Sequence, residues 1–222
     1  MSGKFRIIPP HSLLTFLCAA LCCSVVQASS VEVARSPGET DAQFVKRVTG
    51  QDVATDGFGD SGAAQIAKTT SLVKGTEALV AFTKTPNPDE DPDSLDNDIA
   101  ANVFVAKSSS TYVRLGPTVA CEVEGGEATL RAFFYADVGE PPSPHLAAIC
   151  GWDETHAGAD CPNSDEVRFF KIDGDSLAAV DMEKYKSLFY KEVKPSKSAD
   201  YTCTIPKFKT ARDVKTLLAN KH

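Results

Sequence analysis

The chain lacks a hydrophobic stretch long enough to cross a bilayer as a helix. Its longest apolar run covers residues 13–26, whereas a spanning helix needs about 20 apolar residues. Two basic residues precede the run, and Val26-Gln27-Ala28 follows with small or tolerated side chains at the −3 and −1 positions. This pattern predicts a cleavable export signal over residues 1–28 and a periplasmic or secreted protein with no membrane anchor after cleavage.

The chain also lacks the basic residues that would give it a positive field. Its 23 Lys and Arg face 30 Asp and Glu, for a net charge of −7 at pH 7. Loss of the signal would remove Lys4 and Arg6 and lower the charge to −9. A field of this sign repels nucleic acid and anionic lipid and attracts a basic partner. We therefore expect a protein partner in the periplasm or outside the cell, with no nucleic acid and no membrane.

Cysteine is scarce once the signal is set aside. Four cysteines remain, Cys121, Cys150, Cys161 and Cys203. An even number in an oxidising compartment predicts two disulfides, for which three connectivities exist. The interpretation favoured by loop length pairs Cys150 with Cys161, across a short Gly-containing loop, and Cys121 with Cys203.

The spacing of the apolar segments predicts the fold class. Short apolar runs alternate with linkers rich in Gly, Pro and Ser, and most linkers are too short for a crossover helix, so neighbouring strands should pair antiparallel. Thr40 and Gln43 form a capping-box pattern for a helix that ends at Gly50, and Thr210 caps a last helix. The expected fold is α+β, with one curved, mainly antiparallel sheet packed by the N- and C-terminal helices.

Composition also suggests the domain organisation. Residues 29–39 are expected to form a flexible leader, and residues 40–222 a single domain. Within it, residues 85–98 (TPNPDEDPDSLDND) combine prolines with a dense run of acids. Proline removes backbone donors and like charges repel, so this stretch is expected to be an acidic loop.

A short string containing Ser61 introduces one enzymatic alternative. Gly59-Asp60-Ser61-Gly62 matches the nucleophile segment of chymotrypsin-like proteases, but that family needs an upstream His, and His11 lies within the signal. Taken with Asp153-Glu154-Thr155-His156, the string resembles the Gly-Asp-Ser hydrolases of the SGNH type. The resemblance implies an esterase-like reaction in which Ser61 attacks, His156 takes the proton and Asp153 orients the imidazole. The segment before Ser61 is loop-like and 66 residues follow His156, and both features depart from the family pattern.

The densest polar cluster lies between Cys150 and Cys161, in the string GWDETHAGAD. Asp153, Glu154, His156 and Asp160 are of the types that bind Zn or Mn, but their spacing specifies no metal site, and we expect no metal or cofactor. The same loop carries Trp152, the only tryptophan, and aromatic residues dominate contact energies.

The leading interpretation is thus an exported, non-enzymatic binding module, protein-binding or inhibitor-like. Its contact residues are expected to be Trp152, Asp153, Glu154 and His156. The alternatives are the serine hydrolase and a structural protein associated with the cell envelope.

Overall fold

The computed structural model describes residues 30–55, 63–86, 97–122, 128–151, 165–194 and 202–221. Strands and β-bridges account for 56% of these residues and helices for 17%. The helices are short, and none of those in the described ranges is long and apolar enough to cross a membrane. The predicted α+β fold built on one curved sheet is therefore wrong, because the chain is mostly β and forms several antiparallel sheets.

The first sheet has six strands, and every pairing in it is antiparallel. Its main path runs β1-β5-β4-β3-β2, and β6 pairs with β4 next to the stretch that β5 occupies. The strands are β1 (Val31–Ala34), β2 (Ile66–Val73), β3 (Thr76–Pro86), β4 (Asn97–Ala106), β5 (Thr111–Arg114) and β6 (Thr118–Cys121).

The second sheet has four strands in the order β10-β9-β8-β7, and a third sheet pairs β11 with β12. These strands are β7 (Thr129–Val138), β8 (Ser143–Gly151), β9 (Glu166–Asp173), β10 (Ser176–Ala179), β11 (Tyr190–Val193) and β12 (Cys203–Pro206). The helices are α1 (Asp41–Thr49), α2 (Lys186–Phe189) and α3 (Ala211–Ala219), and a 3-10 turn (Glu183–Tyr185) leads into α2.

The two larger sheets face each other across the main core. Alternate side chains of a strand point to opposite faces of its sheet, and on β3 this places Val80 and Phe82 in the core between the sheets. Leu146 on β8 and Phe170 on β9 reach the same core from the second sheet. Burial of both faces explains why the central strands read as nearly continuous apolar runs.

The outer face of each sheet is covered by helical segments. α1 covers the first sheet through Phe44, which packs edge-on to Phe104 at 5.1 Å between ring centroids. On the second sheet, Phe189 of α2 and Val214 of α3 pack against Phe169. The molecule is thus layered as helix, sheet, sheet and a last layer formed by α2, β11, β12 and α3.

The ends of the two longer helices follow from local chemistry. Thr40 Oγ1 accepts the N–H of Gln43 at 3.2 Å, and the Gln43 side chain accepts the N–H of Thr40 at 2.9 Å. Gly50 ends α1 in the left-handed conformation with φ 75°. Thr210 and Asp213 form the same reciprocal box at the start of α3. The capping predictions for both helices are confirmed.

Several segments differ from the expected pattern. The stretch 31–34, expected to be part of a flexible leader, forms β1 and pairs with β5. Strand β3 extends to Pro86 and β4 begins at Asn97, so of the predicted acidic loop only residues 87–96 lie outside the described part of the chain.

The structure describes one disulfide, between Cys121 on β6 and Cys150 on β8, with 5.6 Å between the Cα atoms. The predicted pairs Cys150–Cys161 and Cys121–Cys203 are therefore wrong, and between described residues the structure has one bridge rather than two. Loop length favoured a local bridge, but the observed bond is set by the packing of the two sheets, which brings together cysteines 29 positions apart.

Candidate functional site

The predicted site residues do not fall within the described part of the chain. Trp152, Asp153, Glu154 and His156 belong to residues 152–164, and Ser61 belongs to residues 56–62; both ranges lie outside it, as does Cys161.

The structure does describe the ends of the two strands on either side of residues 152–164. β8 ends at Gly151 and β9 begins at Glu166, and in the register between these strands Cys150 lies opposite Glu166.

A covalent bond and an ion pair fasten these strand ends. The disulfide from Cys150 ties β8 to the first sheet. Beside it, Arg131 Nε lies 2.5 Å from Asp165 Oδ1, and the Asp165 side chain is only 10% exposed. A charge-assisted hydrogen bond of this kind is stronger than a neutral one. The two ends are thus held to the first sheet and to β7.

The ion pair depends on the absence of a side chain at Gly151. A Cβ built on Gly151 would lie 2.3 Å from Arg131 Nε and 2.7 Å from Asp165 Oδ1. The register between β7 and β8 shifts between Leu130 and Ala132. A bulge of this kind re-aims the side chain of the extra residue, and here it directs Arg131 across the end of β8. We name Arg131, Gly151 and Asp165 the brace.

A second set of ion pairs lies next to the brace. Arg168 on β9 contacts Glu166 at 3.1 Å and Glu122, the residue after β6, at 3.5 Å. The Arg168 side chain is 25% exposed, so water screens these pairs only in part. Because Glu166 lies on β9 itself, the Arg168–Glu122 pair and the disulfide are the two links of this region to the end of β6.

A cleft of about 340 Å³ opens beside the strand ends. Tyr190 lies in it, and its Oη accepts the backbone N–H of Val167 at 2.9 Å. Burial raises the pKa of Tyr190 to about 12, so the hydroxyl keeps its proton at neutral pH and can donate it to a ligand. The lining residues are Asp165, Glu166, Val167, Met182, Glu183, Lys186, Tyr190 and Thr204.

The cleft is therefore polar and mainly acidic. The lining holds three carboxyl groups and one ammonium, that of Lys186, and two of the carboxyl groups, those of Asp165 and Glu166, also pair with Arg131 and Arg168. Such a lining accepts hydrogen bonds from cations and from N–H or O–H donors, and Tyr190 adds a donor of its own. Within the described ranges no group of three or more His, Cys, Asp or Glu is arranged to hold a metal ion.

The brace and the cleft were not predicted from the sequence. Gly151 directly after a strand cysteine was one usable signal, because glycine at a strand end often marks a close approach by another group. Arg131 inside the apolar run ATLRAFFY was another, since a charge in such a run must find a partner. Neither signal identifies Asp165 as that partner.

No protein-family model matches the chain, and no curated protein or solved structure is similar to it at the level of a significant match. Similarity therefore assigns no activity, substrate or partner. At the ends of β8 and β9 the described residues offer three features: strand ends held by a disulfide and ion pairs, a cleft lined largely by acids, and the hydroxyl of Tyr190.

Proposed function

We propose that this protein is an exported binding module that contacts another protein through the segment following Gly151. Trp152, Asp153, Glu154 and His156 belong to this segment in the sequence. The observation that supports the proposal most is the brace, together with the Cys121–Cys150 disulfide, at the point where the segment leaves the sheet.

Restrained strand ends matter because binding is opposed by the loss of conformational freedom. A contact segment anchored on rigid strands loses less entropy when it is ordered against a partner. The disulfide, the Arg131–Asp165 pair and the Arg168–Glu122 pair all restrain the strands from which the segment begins and ends. This arrangement favours presentation of a loop to a partner surface.

The neighbouring cleft supports the choice of a basic partner. Its lining holds the carboxylates of Asp165, Glu166 and Glu183. Asp165 and Glu166 pair with Arg131 and Arg168, but each carboxylate can accept further hydrogen bonds, so a lysine or arginine side chain of the partner would find acceptors there. Tyr190 can donate a hydrogen bond to a partner carbonyl. The chain's net charge of −7 would speed the encounter with such a partner at low salt.

Comparative affinity purification tests the proposal. Three baits are compared in extracts of the native cell envelope and medium: the wild type, Trp152→Ala with His156→Ala, and a control with Val31→Ala and Ser71→Ala, two exposed positions on the first sheet. We expect a protein whose recovery falls about tenfold with the first variant, since a central aromatic contact contributes 2 kcal/mol or more.

The control variant should recover the same protein within about twofold, because isolated surface substitutions rarely change binding. Calorimetry with the purified partner then checks that binding is direct. Equal recovery of every protein by all three baits would contradict the proposal. The export step is checked separately by N-terminal sequencing, which should begin at Ser29.

A further inference from the structure

The last layer of the molecule carries a charge opposite to that of the rest of the chain. Residues 181–222 contain ten Lys and Arg and five Asp and Glu, although the whole chain has a net charge of −7. We name the described part of this stretch, residues 181–194 and 202–221, the C-terminal layer. It packs on the second sheet through Tyr185, Phe189 and Phe208, so its charged side chains face away from the core.

The cations of the C-terminal layer are used differently from those of the other layers. Of the eleven Lys and Arg elsewhere in the described chain, eight form ion pairs: Arg35, Lys46, Arg47, Lys68, Lys107, Arg131, Arg168 and Lys171. The exposed Lys74 and the half-buried Arg114 form none with a described residue. Eight exposed cations of the C-terminal layer form no ion pair with a described residue: Lys184, Lys186, Lys191, Lys194, Lys207, Lys209, Arg212 and Lys215. In this layer Lys221 is the exception, and it pairs with Glu140 at 3.3 Å.

The acids of the layer are fewer than its cations: its described residues include four Asp and Glu against nine Lys and Arg. Asp181 accepts the N–H of Glu183 at 3.0 Å, and Asp213 accepts the N–H groups of Lys209 and Thr210 at 2.9 Å. These hydrogen bonds lower the pKa of Asp213. The described part of the layer therefore carries an excess of positive charge.

Several of the cations converge around α2. The ammonium groups of Lys184 and Lys221 lie 5.0 Å and 4.8 Å from the centre of the Tyr185 ring. Lys207 reaches the same turn, where its Nζ donates to the carbonyl of Ser187 at 2.7 Å. Lys186 is exposed on the intervening turn. Ammonium groups from three separate segments therefore surround one short helix.

We propose that the C-terminal layer binds a sulfated polysaccharide. A chain of sulfate groups supplies repeated negative charges, and lysine ammonium groups engage such anions as point charges that tolerate varied geometry. Clusters of basic residues are a known footprint of heparin-type ligands. The cleft described above is lined in part by this layer, and Lys186 belongs to both, but the proposal of a polysaccharide ligand does not depend on the proposed protein contact.

The composition of the surface favours this ligand over other acidic partners. Protein interfaces are enriched in Arg and aromatic anchors and depleted in Lys, and the cations here are seven lysines and one arginine. Among described residues the exposed large hydrophobic side chains are Val31 and Val119, both on the first sheet. The layer thus offers no apolar group for insertion into a bilayer and no exposed ring for stacking on nucleic-acid bases.

Binding to heparin tests the proposal, with two variants of equal charge change. The first replaces Lys184, Lys186 and Lys191 by Gln in the C-terminal layer. The matched control replaces Lys46, Lys68 and Lys107 by Gln, three exposed lysines that are ion-paired in the other layers. Urea denaturation of both variants checks that they fold.

We expect the wild type to bind heparin at about 50 mM NaCl, where surface charges are weakly screened. The layer variant should bind at least about tenfold more weakly, and the control within about twofold of the wild type. Fully desulfated heparin should not bind. The proposal is overturned if the wild type does not bind, if both variants lose affinity equally, or if duplex DNA or anionic vesicles bind as tightly as heparin.

Discussion

The two outer layers of the molecule are built alike but use their charges differently. Each packs on its sheet through a buried phenylalanine, Phe44 in the α1 layer and Phe189 in the C-terminal layer, and each has a helix that begins with a threonine capping box. In the α1 layer, however, Arg35, Lys46 and Arg47 all form ion pairs with neighbouring acids.

The charged side chains of the α1 layer stabilise the fold, whereas most of the lysines of the C-terminal layer are exposed to solvent. Arg47 contacts Glu39 through two nitrogens, at 2.7 Å and 2.9 Å, and also donates to the carbonyl of Ala34. These contacts tie α1 to β1 and to the connection between them. The lysines of the C-terminal layer make few such contacts. One is the hydrogen bond that Lys207 donates to the carbonyl of Ser187. The comparison teaches that similar packing does not imply a similar role for surface charge.

The largest effects should come from the two aromatic anchors, for which the layers are expected to behave alike. Phe44→Ala and Phe189→Ala each remove a fully buried ring from an aromatic cluster. We expect each to lower the free energy of unfolding by about 3–5 kcal/mol. Urea denaturation measures both. A loss below about 1 kcal/mol for either variant would show that its layer is not packed as described.

The next largest loss of unfolding free energy is expected at the brace. It tests whether an ion pair outside the C-terminal layer stabilises the fold. Gly151→Ala places a Cβ 2.3 Å from Arg131 Nε, so the pair with Asp165 must separate. We expect a loss of about 1–3 kcal/mol, typical of overpacking. In the Arg131→Ala background the same substitution should cost clearly less, because Arg131 Nε and Cζ are gone and the Asp165 side chain, no longer held by the ion pair, can move aside. Equal costs in both backgrounds would contradict the brace.

The pH dependence of the unfolding free energy tests the contribution of the Glu39–Arg47 ion pair in the α1 layer. Hydrogen bonds from Arg47 lower the pKa of Glu39 to about 2, from an ordinary value of 4.5. Because the folded pKa lies below the unfolded one, this stabilisation is fully present above pH 4.5 and is lost as the pH falls towards 2. Glu39→Gln should therefore flatten the decline of unfolding free energy in this window. A decline that is the same in Glu39→Gln as in the wild type would contradict this role of the Glu39–Arg47 pair.

The smallest loss of unfolding free energy is expected for lysines of the C-terminal layer that form no ion pair with a described residue. Lys186→Gln with Lys191→Gln should change the free energy of unfolding by no more than about 0.5 kcal/mol, the usual range for surface substitutions. Arg47→Gln should lower the unfolding midpoint measurably, because it removes contacts to Glu39 and Ala34. A larger loss from the lysine substitutions than from Arg47→Gln would reverse the comparison.

Local features of the fold could be predicted from the sequence. The caps of α1 and α3 depend on residues three positions apart, and both were predicted. Antiparallel pairing of neighbouring strands was predicted as well, because the linkers between the apolar runs are short. Strand β2 reads IAKTTSLV, in which polar residues interrupt the apolar pattern because it is an edge strand with exposed positions.

Features that depend on the meeting of distant segments could not be predicted. The partner of Cys121 is set by which strands face each other between the two sheets, and loop length carries no information on that. The brace needs a bulge at Arg131, a glycine at 151 and an acid at 165 from three separate strand ends. The roles predicted for Ser61 and for Trp152 to His156 stay predictions, because these positions lie outside the described residues.

Most of the described cations outside the C-terminal layer are held in ion pairs, whereas within that layer Lys221 alone pairs with a described acid. Amine-reactive labelling of the native protein, followed residue by residue with mass spectrometry, measures this directly. An ammonium held by a carboxylate must first break that contact, so Lys184, Lys186 and Lys191 should react about two- to fivefold faster than Lys46, Lys68 and Lys107 at low salt, with the gap closing at high salt. Equal rates for the two groups at low salt would contradict the account.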